Sequence, residues 1–230
     1  MESLAVLVPV LNRPQNVAPL VESFFSSGTP GTLHLVGDAV TDRATFDVTP
    51  RHERVVWEQT RDKVSWPEKI NLGIRRVRNA DWYLFAADDI TFTANWWDAT
   101  TELRNGTAGV IGTNDALPGT IGNPGVAAGS HTCHPLVRAT YIRDFGTIDD
   151  PTKAVHDGYR HWCVDNELIV TAMIRDKWAY CRESILVHNH PYWGRGEWDA
   201  TYSLGESDNQ ADLELWRWRS KNLLGVDVQQ

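Results

Sequence analysis

Cysteine, basic charge and long apolar runs are all scarce in this chain, and each scarcity excludes a class of protein. The three cysteines, Cys133, Cys163 and Cys181, are odd in number and show no C-x-x-C spacing. No disulfide framework is therefore expected, and a reducing cytosol is the expected compartment. Lysine and arginine total 22 against 30 aspartates and glutamates, a net charge of −8. Phosphate neutralisation calls for a basic surface, so nucleic acid is not an expected partner. The apolar start from Leu4 to Leu11 is far too short to span a bilayer, contains Pro9 and follows no basic segment. It reads as a first strand, and no membrane anchor is expected. What remains is enough for a full globular core: 230 residues, 42% hydrophobic, with 11 tryptophans that serve either as core or as stacking platforms.

The organising stretch is Asp81 to Phe92, an apolar and aromatic run that ends in the adjacent carboxylates Asp88 and Asp89. Continuous apolar runs suit strands covered on both faces, and open α/β sheets bind ligands beyond the carboxyl ends of such strands. An acidic pair there suits a hard divalent cation, Mn2+ or Mg2+, shared with substrate phosphates. Neighbouring residues of an extended chain point to opposite faces, so one carboxylate is expected to aim into the site. The plainer reading is a strand-to-loop turn, where Asp is common. Upstream, Leu4–Val8, Leu33–Val36 and Arg54–Trp57 read as strands, alternating with helices around Val17–Phe24 and after Pro67. This alternation predicts βαβ units and a mostly parallel sheet flanked by helices.

Downstream, Asn95–Asn105 reads as a short helix and Val110–Ile111 as a strand, followed by a glycine- and proline-rich stretch from Asp115 to Pro135 suited to a lid. Asp165 precedes a helical pattern and suits an N-cap. Ile185–His190 reads as a late strand whose His188 and His190 share a face. Tyr192–Gly205 reads as a mobile segment and Ala211–Asn222 as the final helix. His131, Cys133 and His134 suggest zinc, but a fourth ligand at useful spacing is not evident.

The order of these parts resembles the GT-A glycosyltransferases, in particular family 2 and its small soluble bacterial and phage relatives. Val8–Pro14 resembles the first strand and nucleotide loop, Lys69–Ile74 the helix leading into the DxD strand, Asp165-Asn166-Glu167 the acidic motif of the base, and His188 or His190 the late metal-binding histidine. Ala87 stands where the family's first DxD aspartate is expected. The resemblance implies a single GT-A, Rossmann-like domain: residues 1–92 as the nucleotide-sugar half, 93–193 as a smaller acceptor and catalytic half, and 194–230 as the mobile segment and C-terminal helix. It implies inverting, metal-dependent transfer of a hexose from a UDP-, GDP- or TDP-sugar to a hydroxyl on a protein or glycan, in the cytoplasm, or the host cytoplasm if the chain is phage-encoded. Asp165 would be the base; Pro9, Asn12, Arg13, Asp38, Lys69, Asn71 and Asp88 would bind donor; Asp89 with His188 or His190 would bind metal. Trp97, Trp162 and Trp193, with Trp96, are candidate acceptor platforms. Two other readings compete: a catalytically inactive sugar-binding module, and a sugar-phosphate nucleotidyltransferase, which usually carries a glycine-rich phosphate loop that Pro9–Pro14 lacks.

Overall fold

A computed structural model describes residues 2–38, 40–116, 125 and 128–228. Eight strands form one sheet in the order β3-β2-β1-β4-β7-β6-β8-β5. They are β1 (Leu4–Pro9), β2 (Thr32–Asp38), β3 (Val55–Thr60), β4 (Trp82–Phe85), β5 (Ile90–Phe92), β6 (Val110–Asn114), β7 (Leu136–Arg138) and β8 (Trp178–His188). The pairings make β5 and β7 antiparallel to the rest, which share one direction. The sheet is therefore mostly parallel, as the alternating pattern predicts. Because six strands run the same way, the exits of β1, β2, β4, β6 and β8 lie along one edge.

Period-two alternation splits each central strand between two cores. Leu4, Val6 and Val8 of β1 and Trp82, Leu84 and Ala86 on and after β4 face the core shared with helix α1 (Pro14–Ser26). Ala5, Leu7, Tyr83 and Phe85 face the other, with Ile70 of α3 (Trp66–Arg76) and Val164, Leu168 and Ala172 of α6 (Val164–Ile174). Helix α3 starts where Ser65 and Glu68 form a reciprocal capping box with Pro67 in the first turn. Short helices α2 (Arg43–Val48), α4 (Thr101–Asn105) and α5 (Ala139–Phe145) complete the connections.

Two boundaries differ from the expected ones. The last helix, α7, runs Ala200–Arg219 and so begins well before Ala211. Asp199 caps it, its carboxylate accepting from the Thr201 and Tyr202 amides, which tolerates Gly205 inside the helix. Asp165 lies inside the first turn of α6; the N-cap position is Cys163, in a left-handed conformation at φ 64°. Of the stretch read as a lid, residues 117–124, 126 and 127 lie outside the described residues.

Asn71 of α3 clasps the segment ahead of α6: its amide donates to Val155 O, and its carbonyl accepts from the Ala154 and Val155 amides. Asn71→Ala strands three buried backbone groups. It should cost about 1–3 kcal/mol in urea denaturation, and a cost near zero would show that the clasp is dispensable.

Candidate active site

At the sheet edge the connections after β4, β6 and β8 and the first turn of α6 bring carboxylates and histidines into one cluster. Asp88 and Asp89, just past β4, are both buried. Asp88 Oδ1 accepts from Arg13 Nη1 at 2.9 Å and Asn16 Nδ2 at 3.2 Å. Asp89 Oδ2 accepts from the Tyr202 hydroxyl at 2.7 Å, with Arg13 Nη1 3.8 Å away. The other oxygen, Asp89 Oδ1, is buried without a hydrogen-bond partner among the described residues, and His188 Nε2 lies 3.4 Å from it. Burial raises both aspartates. For Asp88 burial wins, aided by Asp89, and its carboxyl rises above the usual range. For Asp89 the His188 imidazole, the Tyr202 hydroxyl and Arg13 outweigh burial and hold it low.

The two histidines take different positions. His188, on the last residue of β8, is buried against Asp89 and packs edge-on to His134 at 4.6 Å. His190 lies past the strand, where Nδ1 accepts from the Tyr192 amide and the ring stacks on Tyr192 at 5.0 Å. Burial and the neighbouring His188 lower it to about 4, so it is neutral near pH 7. Proline at 191 starts a short 3-10 turn through Trp193, which is why strand parity ends at His188.

Asp115, which no motif singled out, completes the cluster together with His131 and His134. Asp115, just beyond β6, is fully buried; it bonds His134 Nδ1 at 2.8 Å and accepts from the Cys133 amide at 3.0 Å. His131 Nε2 lies 3.2 Å from Asp165 Oδ2. Burial lowers His131 and raises Asp165, but the attraction between the two wins on both sides, so His131 titrates high and Asp165 low. Asp115 follows directly on β6, so it was legible as a carboxylate at a strand exit, the same signal that marked Asp88.

The expected donor residues fall into three places. Arg13 and Asp88 lie in the carboxylate cluster. Pro9, Asn12, Asp38 and Lys69 lie at the β1 and β2 exits, organised by Asp42, a fully buried carboxylate that accepts from the Asn12 and Asp38 amides and from Lys69 Nζ. There Lys69 also donates to Val10 O, Asn12 is left-handed at φ 47°, and Asp38 accepts from the Val40 and Thr41 amides. Asn71 lies in the clasp described above, bonded to backbone. Among the tryptophans, Trp193 Nε1 reaches His188 Nδ1 at 3.4 Å and Trp162 packs on Tyr192 at 6.3 Å. Trp97 lies under Arg104, which pairs with Glu2 ahead of β1, and Trp96 is buried beside it. The structure does not bring that pair to the cluster, because Glu2 marks the opposite edge of the sheet.

A cavity of about 350 Å³ opens beside the acidic pair, lined by Arg13, Asn16, Asp88, Asp89, Trp198 and Tyr202 among others. Arg13 closes one wall: its Nε donates to Asp199 at 2.9 Å and its guanidinium stacks over the Tyr202 ring at 3.7 Å. No described helix is long and apolar enough to cross a membrane.

No protein-family model matches the sequence, and no curated protein matches it. Solved structures do. TarS 1-349 of S. aureus in complex with UDP-GlcNAc aligns over 99% of this chain and 68% of its own, with a TM-score of 0.65 at 12% identity. Glucosyl-3-phosphoglycerate synthase from Mycobacterium tuberculosis, in complex with Mn2+, UDP-glucose and phosphoglyceric acid, aligns over 95% of this chain and 79% of its own, with a TM-score of 0.61 at 11% identity. The catalytic domain of Drosophila beta1,4-galactosyltransferase 7, in complex with xylobiose, aligns over 90% and 81%, with a TM-score of 0.53 at 14% identity. In the TarS 1-349 complex with UDP, this chain spans 59% of the neighbour's length. At these identities the likeness establishes the fold: a GT-A type α/β sheet flanked by helices.

Proposed function

We propose that this GT-A chain is a glycosyltransferase that moves a hexose from a nucleotide-diphosphate sugar to a hydroxyl of a protein or glycan acceptor, with inversion and with a divalent metal. One observation carries the reading: a buried carboxylate oxygen, Asp89 Oδ1, has no hydrogen-bond partner among the described residues and sits 3.4 Å from the His188 ring nitrogen at the ligand edge of the sheet. An unmatched buried carboxylate oxygen is costly, and an oxygen and an imidazole nitrogen at that separation suit adjacent ligands of one cation. The residues thus fit Mn2+ or Mg2+, held by Asp89 and His188. Such an ion supplies charge stabilisation to a diphosphate leaving group.

The chain's own side chains account for the rest. Arg13 and Asn16 orient Asp88 toward the donor, and the Asp42-organised β1 and β2 exits shape the nucleotide site around Asn12 and Asp38. Asp165 takes the acceptor proton, and His131 holds its carboxylate in place. Trp162 and Trp193 line the acceptor side. Solved neighbours complexed with UDP, UDP-GlcNAc or UDP-glucose favour a uridine donor.

Calorimetry of the purified protein against UDP, GDP and TDP, each with and without Mn2+, tests the reading. UDP should bind best, with Mn2+ strengthening it, and Asp89→Ala should weaken the Mn2+-dependent part about 10–100-fold. A folded protein that binds none of the three nucleotides would overturn it.

A further inference from the structure

A second cluster of ligand atoms lies apart from Asp88 and Asp89, and no step of the proposed transfer uses all of it. His131, Cys133 and Asp165 each offer one ligand atom, and the three atoms lie within 4.8 Å of one another. The sequence offered His131, Cys133 and His134 as a group without a fourth member. The fold regroups them: His134 is committed to Asp115 inside the core, and α6 brings Asp165 to the vacated side.

We infer that His131, Cys133 and Asp165 form a binding site for a zinc-class divalent cation. Imidazole, thiolate and carboxylate are the donor types that zinc accepts, and three protein ligands leave a fourth position open. With Zn–N and Zn–O bonds of about 2.0–2.2 Å, tetrahedral ligands sit roughly 3.3 Å apart. The His131 Nε2 to Asp165 Oδ2 separation is 3.2 Å. The sulfur completes the set from a loop that is otherwise pinned. Asp115 holds the Cys133 amide and the His134 ring, Thr113 Oγ1 meets Thr132 Oγ1 at 3.2 Å and donates to His134 O at 2.8 Å. Outer contacts of this kind fix ligand geometry before an ion arrives. The soft sulfur separates this site from the all-oxygen-and-nitrogen pair of Asp89 and His188, so the two sites prefer different ions.

Ion binding here does not depend on the transfer reading. Its consequence does: ligation takes up the Asp165 carboxylate, so a zinc-loaded chain holds acceptor deprotonation off until the ion is removed.

The test is Co2+ titration of the metal-free protein, followed by absorbance, with UDP calorimetry on the same samples. Wild type should show a thiolate-to-cobalt charge-transfer band in the near ultraviolet that corresponds to one bound cobalt, separate from any cobalt at Asp89 and His188, and is displaced by Zn2+. Cys133→Ser should lose the band and bind cobalt about 100-fold more weakly, while keeping its circular dichroism and its UDP affinity. His131→Gln should keep a weaker band at lower affinity, and Asp89→Ala should keep the full one. No band in folded wild type, a band that survives Cys133→Ser, or a band lost in Asp89→Ala would each overturn the assignment. Loss of UDP binding with the cobalt band intact would instead count against the donor site alone.

Discussion

Asp165→Asn should lower turnover of a UDP-sugar, read as UDP release, by about 10²–10⁴-fold, the range of a positioned general base. UDP affinity should be unchanged. The substitution keeps the size of the side chain and an oxygen that accepts from the Asn166 amide, as Asp165 Oδ1 does at 2.9 Å. What it removes is the lone pair that takes a proton. A fall in UDP affinity as large as the fall in turnover would place Asp165 in the donor site, and an unchanged rate would remove it from the chemistry.

Arg219→Ala should destabilise the protein by about 3–5 kcal/mol, the cost of breaking a buried ion pair from one side. Arg219 is 3% exposed at the end of α7 and forks both ways. Its Nε and Nη2 donate to the two oxygens of Glu167 at 2.6 and 2.8 Å, and Nη1 and Nη2 to those of Asp149, both at 2.8 Å. Tyr159 adds a hydroxyl donor to Glu167 at 2.7 Å. Without the guanidinium, Glu167 is a buried carboxylate with one neutral partner. Lysine should not restore the loss, since one ammonium cannot match two planar carboxylates.

The same fork sets a pH dependence. Hydrogen bonds from Arg219 hold Asp149 below the usual carboxylate range. A lowered folded-state value stabilises fully above the ordinary value of about 4 and is lost as pH falls through the lower one. Urea midpoints of wild type and Arg219→Ala should therefore differ most at neutral pH and converge in acid. A loss under about 1 kcal/mol at pH 7 would mean the cluster behaves as an exposed pair. Glu167 lies one helical position pair beyond Asp165 on α6, so this clamp also fixes the turn that carries the proposed base.

The acidic pair after β4 was legible because it follows a continuous apolar run, and the histidine ending β8 because it follows Ile185-Leu186-Val187; burial of such a strand places its last residues at the sheet edge. Asp115 and His134 were not paired in advance. Their contact depends on β6 lying beside β7 in the antiparallel sense, and no spacing in the chain encodes a neighbour relation between strands. Asp165 was read as an N-cap and lies instead two residues further on, inside the first turn of α6, and its meeting with His131 required knowing where the loop before β7 is pinned. The early start of α7 was hidden by polar residues and Gly205, although Asp199 is a good cap. Trp97 shows the converse: an aromatic near the acidic pair in sequence ends at the far edge, because β5 reverses direction after Asp89 and carries the chain back across the sheet.

One contact ties the order of synthesis to the completion of the site. Arg13 reaches Asp88 and also Asp199, a residue 186 positions later. At about 5–20 residues per second on the ribosome, roughly ten to forty seconds separate their emergence. From the synthesis of Asp89 to the end of that interval, Asp89 lacks its Tyr202 hydroxyl partner and the wall formed by Asp199 is missing. A chain stalled before Asp199 can therefore assemble its first strands and the Arg13–Asp88 pair but cannot close the cavity over Asp89.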